Sequence, residues 1–271
     1  MQSYTVQSGD TLRGIALKFY GDASKFVVIQ EANDITNPSL ISVGQVLEIP
    51  DIDGSDANNP LADFHRAFNN GVRWRLTTDG VEIESSGIER TSGSPTTVTK
   101  IWTNFNSDIN QWSQAFNVPA VIIIATIATE SSGKVDAIRK EPCYLSDSTT
   151  PSCISVGLMQ TLISTARDTL NDRTIDRDDL KTSNISLKAG TSYIADQRSK
   201  TLLDPPKVAC AYNAGGVYEN RNAGNRWRMR QFPIRTSKHC DRFVQFFNDA
   251  VFVLKSTPLP VSVGYKDFYD L

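Results

Sequence analysis

Val118-Pro119-Ala120-Val121-Ile122-Ile123-Ile124-Ala125-Thr126-Ile127-Ala128-Thr129-Glu130-Ser131-Ser132-Gly133 decides how this chain is read. Pro119 suits a first helical turn, and the residues after it are apolar on every side of a 3.6-residue period. The spacing predicts a helix from Pro119 to about Ser131, buried all round and too short to span a bilayer. Glu130 follows the eleven uncharged residues Pro119 to Thr129 of that helix and is itself followed by a Ser-Ser-Gly stop. A carboxyl there sits at the edge of an apolar wall. Desolvation and the C-terminal end of the helix dipole both favour its neutral form, which a general acid needs near neutral pH. The bland alternative is a Glu that points into solvent.

Around this segment the pattern is helical. Val98, Ile101, Trp102, Phe105, Ile109, Trp112 and Phe116 recur at three or four residues. Further helices are expected at 161–171, 184–199, 206–213 and 236–255. Ahead of them, Val72 to Leu76 and Val81 to Glu84 alternate across Asp79-Gly80, which reads as a β-hairpin serving as a lid or platform. Two segments downstream, Ser155-Val156-Gly157-Leu158-Met159-Gln160 and Ala211-Tyr212-Asn213-Ala214-Gly215-Gly216, join Glu130-Ser131 as candidates for chemistry. On composition alone, Tyr212 and Met159 read as core residues.

The first fifty residues form a separate pattern: strand at Tyr4-Thr5-Val6, helix from about Thr11 to Phe19, helix from about Ser24 to Asn33, strand at Gly44 to Pro50. Tyr4 to Leu12, Ile15-Ala16, Gln30 to Asn33 and Val43 to Pro50 resemble a LysM module. The resemblance implies binding of N-acetylglucosamine-containing glycans in a groove formed by Gly9, Asp10, Thr11 and Leu12 with Asn37 to Leu40, Asn37 and Pro38 foremost. The alternative is that Gly9 and Asp10 only shape the turn and cap the helix. Residues 51–60 read as a polar linker.

In order, Glu130-Ser131, Ser155 to Gln160 and Ala211 to Gly216 resemble the three signature motifs of the soluble lytic transglycosylases and their goose-type lysozyme relatives, over about residues 98–250. The resemblance implies Glu130 as the catalytic acid/base, with Gln160, Tyr212 and Asn213 facing the cleft. Gly157, Leu158 and Met159 are implied as its wall, with Ser131 and Ser155 also on the substrate side. It also implies cleavage of the bond between N-acetylmuramic acid and N-acetylglucosamine, with the muramic 6-hydroxyl closing on C1 to give a 1,6-anhydro sugar. Hydrolysis would need a second carboxylate to orient water; Asp136, Glu141 and Asp147 qualify by position alone. The stretch between Glu130 and Gln160 exceeds the family's usual length around Cys143 to Cys153, so this loop is expected to rim the cleft.

Lys plus Arg (28) nearly cancels Asp plus Glu (30), so no polyanion is implied and nucleic acid is not expected. Two His and no CxxC pair argue against a zinc site, and no cofactor, metal or membrane insertion is expected. The four cysteines allow two readings: four separate thiols, or a Cys143–Cys153 disulfide closing a polar loop. The N-terminus shows no secretory signal. The expectation is therefore delivery on a phage tail or baseplate, with action in the host periplasm or cell wall. Expected partners are peptidoglycan glycan strands and tail or baseplate proteins. The rival readings are a phage lysis enzyme released through holin pores, of the hydrolytic goose-type lysozyme kind, and a non-catalytic structural or wall-binding component. The fold class is α+β: a small βααβ domain at 1–50, the linker, a hairpin region at 61–96, a mostly α lysozyme-like domain at 97–256 and a tail at 257–271.

Overall fold

The computed structural model describes residues 2–20, 25–33, 35, 41–50, 59–92 and 95–255. Asn37, Pro38, most of the expected linker and the tail at 257–271 lie outside the described residues. The chain divides into two compact units that meet near residue 58 in sequence.

In the first unit, β1 (Gln2–Thr5), α1 (Leu12–Tyr20), α2 (Phe26–Ala32) and β2 (Val46–Ile49) follow the expected order. The strands pair antiparallel, Gln2 opposite Ile49 and Thr5 opposite Val46. Val6, Leu12, Ile15, Ala16, Ile29, Leu47 and Ile49 form the core. The Asn33 amide donates to the Glu48 carbonyl and accepts from the Glu48 N–H, both at 2.7 Å, supplying β2 with the partner a third strand would give. Two expectations are corrected here. Asp10 does not cap α1: its carboxylate takes the Gln7 N–H at 2.7 Å and the Tyr4 hydroxyl at 2.8 Å, while Thr11 Oγ1 accepts from Gly14 N–H as the cap. Leu12 is 1% exposed, so its side chain is core, not groove surface.

The second unit opens with a meander rather than a lone hairpin: β3 (Trp74–Thr77), β4 (Gly80–Ile83) and the short β5 (Gly87–Ile88). Alternation turns Trp74, Leu76, Val81 and Ile83 inward, into the same core as the helices that follow. Buried polar groups fasten the meander there. The fully buried Asp204 carboxylate accepts from Trp74 Nε1 and meets His65 Nε2 at 2.9 Å and Lys207 Nζ at 3.1 Å. Asn248 bonds the Val81 N–H and the Val81 and Glu89 carbonyls. Arg226 joins Glu89 to Asp241.

The helices follow as α3 (Thr96–Phe116) and α4 (Ala120–Glu130), then, beyond a small sheet, α5 (Ile163–Thr169), α6 (Arg177–Leu180), α7 (Ser183–Asp196), α8 (Arg198–Thr201), α9 (Pro205–Ala214) and α10 (Lys238–Lys255). Nine of the eleven residues of α4 are buried. A helix apolar on all faces must be surrounded, and α3 and α10 pack on it.

Between α4 and α5 lies the part that periodicity missed. Here β6 (Ile138–Lys140), β7 (Ile154–Val156) and β8 (Thr161–Leu162) form an antiparallel sheet. Strands of three, three and two residues are too short to register as alternation. The first two residues of the expected helix at 161–171 belong to this sheet. Cys143 and Cys153 are joined in a disulfide, so the reading of four separate thiols holds only for the buried Cys210 and Cys240. Arg177 donates to Tyr144 Oη and to Asp147, tying the loop to α6. No helix among the described residues is long and apolar enough to cross a membrane.

Candidate active site

The end of α4 opens into a cavity of about 320 Å³ lined by Glu130, Arg139, Glu141, Ser152, Ser155, Gln160, Leu162, Tyr212, Asn213 and Phe232. Four different stretches of the fold meet there: the tip of α4, the disulfide-bearing sheet, the end of α9 and the loop that carries Phe232.

Glu130 is the last residue of α4, with 18% of its side chain exposed. Its carboxyl accepts no hydrogen bond among the described residues; His239 Nε2 stands 3.7 Å from Oε1, beyond bonding length. Burial pushes its pKa up to about 7, against the opposing pull of Arg242 and Arg139. Desolvation therefore outweighs two nearby cations, and the carboxyl is protonated in a large share of molecules at neutral pH. Arg242, one turn from His239 on α10, donates to the Thr129 carbonyl and, at 3.4 Å, to that of Ala128. It thereby satisfies the open carbonyls at the C-terminal end of α4. His239 is only partly exposed, and its desolvation, reinforced by the Arg242 charge, drops its pKa to about 4, so the imidazole is neutral.

Gln160 adopts a left-handed backbone, φ 48°, a conformation uncommon for a non-glycine residue. Its amide explains how it is held: Nε2 donates to the Ala137 and Gly157 carbonyls, and Oε1 accepts from Ser155 Oγ. Tyr212 Oη donates to the Met159 carbonyl at 2.8 Å and stands 3.1 Å from Thr161 Oγ1. Its burial raises the phenol far above its ordinary range, so it stays neutral. Asn213 Oδ1 accepts from the Phe232 N–H at 2.6 Å, which fixes the amide and anchors the loop carrying Phe232.

Four residues implied as substrate-facing serve behind the wall instead. Leu158 and Met159 have no exposed surface. Ser131 Oγ donates to the Leu158 carbonyl at 2.7 Å and accepts from Gly133 N–H, so the hydroxyl joins α4 to the second motif. At Gly157, φ 81°, an added Cβ would lie 1.9 Å from the Leu180 carbonyl oxygen, so glycine there serves close packing. Of the three carboxylates considered for a second catalytic role, Glu141 alone is on the cavity wall, paired with Arg139 at 3.0 Å. Asp147 is held by Arg177.

Sequence reasoning missed Arg139, Ser152, Leu162 and Phe232 on the wall, and His239 and Arg242 behind Glu130. The signal available for the last two was their i, i+3 spacing on the first turns of an amphipathic helix. Among the described residues no group of three or more His, Cys, Asp or Glu could hold a metal ion.

Residues 107–231 match the family model of the transglycosylase SLT domain, and residues 4–50 match that of the LysM domain. An esterase of Mycobacterium tuberculosis is 38% identical over 100 residues, covering 33% of this chain and 21% of the esterase. The potassium binding protein Kbp of Escherichia coli is 48% identical over 52 residues, 18% of this chain and 35% of that protein. Among solved structures, the lytic transglycosylase Slt of Pseudomonas aeruginosa aligns over 58% of this chain and 25% of its own, with 16% identity and a TM-score of 0.41. The 70 kDa soluble lytic transglycosylase of Escherichia coli aligns over 56% and 24%, with 19% identity and a TM-score of 0.39. The chain thus spans about a fifth of the esterase and about a quarter of each of these two transglycosylases.

Proposed function

We propose that this chain, which joins a LysM domain to a transglycosylase SLT domain, is a lytic transglycosylase that cuts the glycan strands of peptidoglycan with Glu130 as its single acid/base. The observation that carries the reading is a desolvated carboxyl with a pKa of about 7, placed at the wall of a cavity beside Gln160, Tyr212 and Asn213. Protonated Glu130 donates to the glycosidic oxygen. Once ionised, it takes the proton of the muramic 6-hydroxyl, which closes on C1. One group serves both steps because its pKa lies near the working pH, and the substrate supplies the nucleophile. The LysM domain holds the wall while the second unit cuts. The finer setting we propose is local wall penetration by a phage tail or baseplate, which mass spectrometry of purified particles would test.

The decisive experiment is incubation of the protein with purified cell walls, followed by mass spectrometry of the released sugars. Anhydromuramic ends are expected, and Glu130→Gln should release them at least about a hundredfold more slowly while retaining its far-UV circular dichroism. Undiminished cleavage by that variant would remove Glu130 from the mechanism; reducing ends from the unaltered protein would mean hydrolysis and turn attention to Glu141.

A further inference from the structure

His239 is absorbed by neither sequence motif nor mechanism, yet it is the side chain that backs Glu130. Its Nε2 lies 3.7 Å from Glu130 Oε1, and its Nδ1 lies 3.5 Å from Asn213 Nδ2. The Asn213 amide is oriented from outside, because the Phe232 N–H occupies Oδ1 and leaves Nδ2 turned towards the ring. The Ala209 carbonyl, one helical turn before Asn213 on α9, lies against the same ring. The charged and titratable groups facing this pair are Arg242 on α10, Arg139 on β6 and Tyr212 on α9. Glu141 lines the same cavity.

We infer that His239 is a positioning residue: Asn213 Nδ2 donates to its Nδ1, so the ring carries its proton on Nε2 and directs that N–H at the Glu130 carboxyl in both of its protonation states. With Glu130 protonated, Nε2–H donates to the carbonyl oxygen of the acid. With Glu130 ionised, the same N–H donates to the carboxylate, a stronger, charge-assisted bond. No net charge enters the pocket in either state, and burial keeps the ring from becoming a cation that would pin Glu130 in its ionised form. The contact closes by a few tenths of an ångström when substrate excludes water, as catalytic contacts commonly do. This inference rests on the reading of Glu130 as acid/base, and its test keeps the two apart.

The test compares His239→Leu and His239→Gln with the unaltered protein on purified cell walls across pH 4.5–9. Leu removes donor and acceptor; Gln retains both through amide rotation. His239→Leu should lose at least tenfold in kcat with KM little changed. Its alkaline limb should move to higher pH, because the carboxylate loses a charge-assisted donor while the acid loses only a weaker partner. His239→Gln should restore most of the rate and return the limb. A Leu variant within twofold of the unaltered kcat, an unmoved limb, or Gln and Leu falling alike would each overturn the inference. Wall cleavage that survives Glu130→Gln would instead overturn the underlying reading, whatever the His239 variants do.

Discussion

Two carboxyls withdrawn from water in the second unit show how one functional group is put to different ends. Asp204 has no exposed surface and three partners, the indole of Trp74, the imidazole of His65 and the ammonium of Lys207. Glu130 is also withdrawn from water, but its carboxyl accepts no hydrogen bond among the described residues, and the cations near it act only at a distance. A buried charge is tolerated when its partners replace the water it lost. Asp204 has that replacement and holds the meander to α9. Glu130 lacks it, so the pocket keeps a proton on it instead. Structural and chemical use of a carboxyl are thus told apart by partner count rather than by depth.

The contrast can be broken in several places. Glu130→Gln should reduce wall cleavage by about a hundredfold or more, the usual yield of a positioned acid, measured by turbidity loss and released sugars. Asp204→Ala should cost about 3–5 kcal/mol in urea unfolding, since it leaves the Lys207 cation, the His65 ring and the Trp74 N–H facing an empty site. If it costs under 1 kcal/mol, the distinction by partners fails. The contribution of Glu130 to stability should also vary with pH. The pKa of Glu130 rises from 4.5 to about 7 on folding, so the folded state binds its proton more tightly. Its contribution is fully present below pH 4.5 and is lost as pH climbs to 7, by at most about 3 kcal/mol. Glu130→Gln should therefore be inactive yet more stable than the unaltered protein at pH 7, with the difference vanishing near pH 4.5, as denaturant midpoints taken at both pH values would show. Activity itself should fall as pH rises through about 7, the acid form being the one that donates. The smallest effect expected is from Cys143→Ser with Cys153→Ser, about 2–3 kcal/mol on the loop-entropy account. A drop in cleavage larger than the stability loss explains would mean that the loop also shapes the cavity through Glu141 and Ser152.

How much of this was legible beforehand follows from length and partnership. The helix at 120–130 and the α/β order of the first unit could be read because apolar residues repeat over many positions. Glu130 could be found because the eleven uncharged residues Pro119 to Thr129 precede it. The sheet formed by β6, β7 and β8 could not, because no strand exceeds three residues and β6 is exposed throughout. Its existence depends on pairing across the Cys143–Cys153 loop, which no local window contains. The motif carrying Gln160 was visible, but not the division of labour within it: Gln160 faces the cavity, whereas Leu158 and Met159 are wholly buried. His239 and Arg242 are more than a hundred residues from Glu130 in sequence, and only the packing of α10 on α4 brings them together.

The polar staples of the meander also bear on where this unit can be cut and grafted. The SLT match begins at residue 107, and the helical pattern begins near 97. A fragment started at either point would strip Trp74, Leu76, Val81 and Ile83 from the core. It would also leave Asp204 and Asn248 without the Trp74 indole and the Val81 backbone. An engineer wishing to move the second unit onto another domain should therefore begin the transplant near Asn59 and end it no earlier than Lys255.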